Sequence, residues 1–89
     1  MAIVKRVLIR RVLKHADDEG KLTERKREYI AIILRRPRAM KALAEWAGEF
    51  AAQELGNRAW GDGTIVKLLL DNLDKLVAAI IAILKAWPS

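Results

Sequence analysis

The sequence predicts an all-α fold, a small bundle of about four helices with the C-terminal helix as its central element. Three observations carry this. Large apolar residues near the end of the chain, Ile65, Leu69, Leu73, Leu76, Ile80, Ile83 and Trp87, recur at intervals of three and four, the spacing of one helix face. Composition is 53% hydrophobic and 31% charged, drawn from the Ala, Leu, Ile, Lys, Arg and Glu of helical proteins, with few strand signals. The strongest breakers, Gly20, Pro37, Gly56, Gly61 and Gly63, punctuate the periodic segments. Expected helices cover residues 3–15, 24–36, 37–55 and 64–87, within a single domain of residues 1–89.

The first helix places Val4, Leu8, Ile9, Val12 and Leu13 on one side, with Arg6, Arg10 and Lys14 at i, i+4 and i+8 on the other. A row of like charges destabilises a helix by a few tenths of a kcal/mol per pair, so it calls for a compensating carboxylate, a bound polyanion or simple solvation. The segment shares the Arg-rich, acid-free, amphipathic character of a mitochondrial presequence. It reads as an ordinary first helix, because no serine-rich stretch follows.

Residues 17–23 form the expected connection, with Gly20 at the turn and Thr23 as the next N-cap. Its acids invite comparison with an EF-hand calcium loop. With Gly20 at loop position six, however, positions one and twelve fall on His15 and Lys26, where carboxylates are required. The second helix packs Tyr29, Ile30, Ile33 and Leu34 and opens with Arg25, Lys26 and Arg27. Cations in a first turn oppose the helix dipole, so helix stability does not explain them.

Pro37 holds Arg36 extended and suits the first turn of a new helix. The third helix then turns Met40, Leu43, Trp46, Ala47 and Phe50 inward, unless it runs on from the second through a kink at Pro37. Lys41, Glu45 and Glu49 line its outside, where a Lys41–Glu45 helix pair accounts for them better than a metal shared by Glu45 and Glu49. Gly56 and Asn57 provide a C-cap. Trp60 is expected to fold over the core as a lid, Asp62 or Thr64 to cap the last helix, and Pro88 to end it.

Within that helix Val66, Leu70, Val77, Ile81 and Leu84 widen the apolar face, while Lys67, Asp71, Asp74, Lys75 and Lys85 share the far side. From residue 76 to 84 the far side holds only Ala78, Ala79 and Ala82, which makes the stretch apolar all round. Such a helix is buried on every side or lies in lipid, and this one is far short of the roughly 20 residues that cross a bilayer. Leu76, Val77, Ile80, Ile81, Ile83, Leu84 and Trp87 are therefore the candidate protein interface.

Charge is unevenly distributed. Residues 1–41 hold thirteen Lys and Arg against five Asp and Glu, and residues 42–89 hold four against six, giving a net +6. This asymmetry points to an anionic partner. Arg6, Arg10, Lys14, Arg25, Lys26 and Arg27 are the candidate anion or nucleic-acid contacts. Asn and Gln are absent from those segments, so they carry no signature of adenine reading. A helix-turn-helix is conceivable for the first two helices, but their connection is longer than the usual turn.

No catalytic residues, cofactor site or metal site are predicted. Cysteine is absent, which removes disulfides and thiolate ligands and fits a reducing, cytoplasmic setting. His15 is the single histidine, without a second ligand or a neighbouring nucleophile. The segment at 57–63 lacks phosphate-loop spacing.

The leading expectation is thus a non-enzymatic helical interaction or assembly protein that buries its last helix against a protein partner or a second copy as a homo-oligomer. The alternative is a nucleic-acid-binding protein using the basic N-terminal half. A second alternative is a cationic protein at an anionic membrane surface, lying on it or inserting into it.

Overall fold

In the computed structural model, which describes residues 4–56 and 61–86, five helices carry the chain. They are α1 (Arg6–Asp18), α2 (Glu24–Leu34), α3 (Pro37–Leu55), α4 (Asp62–Asp71) and α5 (Leu73–Ala86). The all-helical reading holds; the number of helices does not. The segment expected as one helix is two, broken at Asn72.

Asn72 makes the break by serving both helices. Its backbone N–H and its side-chain Nδ2 both donate to the Leu68 carbonyl, at 3.1 and 2.9 Å, which closes α4. Its own carbonyl then accepts from the N–H groups of Lys75 and Leu76 at 3.0 and 3.1 Å, which opens α5. An asparagine side chain offers the backbone this alternative to continued helix. With φ −120° and ψ 38°, Asn72 lies outside the helical region.

At the other end, α1 runs one turn beyond its expected stop at His15 and takes in Asp17 and Asp18. The turn that follows is a Schellman closure. Gly20, at φ 69°, donates to the Asp17 carbonyl at 3.0 Å, and Lys21 donates to that of Ala16 at 2.9 Å. Thr23 then caps α2, its hydroxyl accepting from the Lys26 N–H at 3.3 Å. Between α2 and α3 the chain breaks cleanly: Arg36 is extended at φ −114°, ψ 100° ahead of Pro37, and its carbonyl accepts from the Met40 N–H at 2.9 Å.

The helices form a slab 35 × 28 × 18 Å. Since a helix with its side chains is about 10 Å across, the short dimension is two layers. α4 packs along α1, α5 lies against both α2 and α3, and α3 touches all four others. Leu8, Ile9, Val12, Ile33, Met40, Leu43, Leu69, Leu76 and Ile80 are the largest fully enclosed side chains, so every helix contributes to one core. Among the described residues no polar or charged group is buried. Apolar packing, without buried polar pairing, holds the helices together.

Candidate functional site

The break at Asn72 decides the fate of the first candidate surface. A single straight helix over 64–87 would leave much of its apolar girth uncovered, whereas the turn lets α4 cover α1 and α5 enter between α2 and α3. Leu76 and Ile80 are fully enclosed, and Val77 and Leu84 are buried. Only Ile81 and Ile83, both half-buried, retain solvent contact among the large candidates. Outward from α5 point Ala78, Ala82 and Ala86 with Asp74, Lys75 and Lys85. The stretch that is apolar all round in sequence therefore turns its largest side chains toward its own chain and chiefly alanine toward solvent, with Ile81 and Ile83, partly open to solvent beside those alanines, at the boundary. Trp87 and Trp60 lie outside the described residues.

The second candidate surface is built on α1. Leu8, Ile9, Val12, Leu13 and Ala16 face the core. At about 100° per residue, Val7 and Lys14 point directly away from it. Arg10 and Arg11 flank them by about 50° on either side, and Arg6 and His15 mark the edges. All six are exposed. Arg6, Arg10 and Lys14 climb α1 in steps of about 6 Å. None of Arg6, Arg10, Arg11 or Lys14 makes an ion pair with a described carboxylate. The first turn of α1 holds no acid, and Lys5, at its N-cap, makes no side-chain cap. The positive end of the helix dipole adds to this field.

The trio on α2 is dispersed. Arg25 and Arg27 stand about 200° apart around the helix, and Lys26 between them is half-buried. Arg27 alone is tied to α1: its Nε meets the Asp17 Oδ1 at 2.7 Å. That contact exists because α1 continues past His15. Asp17 falls two turns after Arg10, on the same flank, and offers its carboxylate across the gap to α2. The predicted six-cation surface is thus an α1 surface with one neutralised neighbour.

Sequence reading omitted two members of it. Arg11 lies off the i, i+4 row of Arg6, Arg10 and Lys14, and Val7 reads as one more hydrophobic residue in a segment full of them. The signal that finds both is the pattern Val7, Arg10, Arg11, Lys14 at i, i+3, i+4 and i+7, one helix face with cations around an aliphatic centre.

Two shallow depressions adjoin this face. One, of about 530 Å³, is lined by Val7, Arg10, Arg11, Lys14, His15 and Asp18. The other, of about 420 Å³, runs between α1 and α4, where Arg11 and Lys67 are set against Asp71, and Lys21 is held by Glu19 at 3.0 Å. Charges nearly cancel in the second, whereas cations dominate the first. Among the described residues, no three His, Asp or Glu side chains converge as metal ligands, and no helix is long and apolar enough to cross a membrane. Compared with known proteins, the chain is matched by no family model, no curated protein and no solved structure.

Proposed function

We propose that this chain is a small non-enzymatic protein that binds nucleic acid through the exposed face of α1. The observation that supports this reading is the set of four exposed cations, Arg6, Arg10, Arg11 and Lys14, without carboxylate partners among the described residues. Phosphates answer an uncompensated row of this kind, because each neutralised phosphate releases condensed counterions. The assembly reading, which ranked first on sequence, drew its motive from a burial demand on α5, and that motive is weaker with Leu76, Val77, Ile80 and Leu84 buried within the chain and only Ile81 and Ile83 partly open among the described candidates. A membrane-surface role has less to rest on: the apolar residues that would enter the headgroup region from α1 are already in the core.

The test is the salt dependence of duplex binding. Four to five phosphate contacts predict a log-log slope of about −4. Changing Arg6, Arg10 and Lys14 together to Gln should flatten it by up to about 3 while helicity stays constant. Heparin as competitor separates duplex binding from general polyanion attraction. Weak binding at physiological salt, indifferent to which cations are removed, would reject the proposal.

A further inference from the structure

Val7 is the most exposed large hydrophobic side chain among the described residues, at 57%. Single exposed aliphatic residues are common on protein surfaces, so exposure by itself decides nothing. Its position does. Val7 stands at the centre of the solvent arc of α1, with Arg10 at i+3, Arg11 at i+4 and Lys14 at i+7, all lining the same depression. At an exposed helix position valine is a poorer helix former than the Lys, Arg or Gln that solvation alone would favour. A ligand for this face has to be anionic at its edges and carry a methyl-sized apolar group between them.

Resting on the reading of α1 as a nucleic-acid surface, we infer that α1 enters the major groove of B-form DNA and sets Val7 against a thymine methyl. That groove is about 12 Å wide and admits one α-helix. α1 is open to solvent over about half its circumference, from Arg6 round to His15, the half it would turn to the groove. Thymine C5-methyl is the apolar feature of the groove floor, and the guanine O6 and N7 acceptors that Arg10 and Arg11 would reach lie beside it. Arg6, at the edge of the arc, is placed for the backbone phosphates. Asp17 and Asp18 close the face at the C-terminal end, which confines docking to the first three turns. With arginine and valine as the reading side chains, recognition favours G and T and leaves adenine unread.

Two other anionic partners fit less well. Double-stranded RNA buries its major groove in a deep, narrow cleft and its uracils lack the methyl. A bilayer would gain only one valine from this face, too little for interfacial anchoring.

The experiment uses the full chain. A randomised duplex pool is selected for binding, and the selected duplex is remade with deoxyuridine in place of thymine. Loss of the methyl should weaken binding about fourfold, the transfer value of one such group. Val7→Ser should weaken binding to the thymine duplex by the same factor and make the chain indifferent to uracil. Equal affinity for both duplexes, with the salt slope intact, overturns the placement of Val7 and leaves the nucleic-acid reading standing. An RNA duplex bound as tightly as DNA also overturns the placement. Absence of salt-dependent duplex binding, with or without capture by phosphatidylserine vesicles, overturns both. The base exchange leaves the protein unaltered, so the outcome does not depend on how Val7→Ser folds.

Discussion

Asp17 Oδ1 and Arg27 Nε meet at 2.7 Å across the corner between α1 and α2, and both side chains remain about half exposed, at 49% and 55%. A pair this open contributes at most about 1 kcal/mol to stability. Its larger effect is electrostatic: one carboxylate terminates the row of cations on α1, and one arginine of α2 is withdrawn from it.

Asp17→Asn therefore separates stability from binding. Unfolding free energy should fall by less than about 1 kcal/mol. The salt slope for duplex DNA should steepen by up to about 0.9, the worth of one further phosphate contact from the released Arg27. An unaltered slope together with a lower midpoint of unfolding would mean that the pair is purely structural.

On α5 the core and solvent sides make opposite demands. Ile80 is fully enclosed, so Ile80→Ala should destabilise by about 2 to 5 kcal/mol in chemical denaturation. Ala82 is exposed, and Ala82→Lys should alter stability by no more than about 0.5 kcal/mol. Sedimentation velocity of Ala82→Lys gives the decisive comparison. A shift to a smaller species would restore α5 as an interface between copies.

Gly48 sits inside α3, where glycine is less stable than alanine by about 0.5 to 1 kcal/mol. A Cβ there would meet Val4 Cγ2 at 4.0 Å, ordinary contact distance, with no nearer atom outside the helix's own backbone. Gly48→Ala should accordingly raise stability by about that amount, read as a higher denaturant midpoint at constant m-value. A decrease would show that the segment preceding α1 packs on α3 more closely at Val4 than this distance allows.

The helical class and most of the core were legible in the sequence, for a local reason. Leu8, Ile9, Val12, Ile33, Met40, Leu43 and Leu69 are spaced for single helix faces, and a face periodic in apolar residues has to be buried whatever its neighbours are. Gly20 was legible as a turn, although α1 runs on to Asp18, and Pro37 was legible as either a break or a kink, which the extended Arg36 makes a break. Asn72 escaped notice because Leu69, Leu73 and Leu76 carry the apolar spacing across it unbroken. A break at a residue that lies off the apolar spacing leaves no mark in the pattern. The α1 cations were legible as a row; Arg11 was missed because it lies off that i, i+4 row, although the i, i+3, i+4, i+7 pattern from Val7 carries it.

What the sequence determined by itself was therefore the set of helical faces, the location of the basic half and the absence of cysteine chemistry. Each can be read from local spacing or from composition, without knowing which helices are neighbours. Only the tertiary structure decided that Leu76, Val77, Ile80 and Leu84 are buried within their own chain, that Arg27 is drawn to Asp17 across the corner, and that Arg6, Arg10, Arg11 and Lys14 make no ion pair with a described carboxylate. Those facts depend on which helices lie side by side. That is settled by how five short apolar faces close over one another in two layers, a global packing solution that no local spacing encodes.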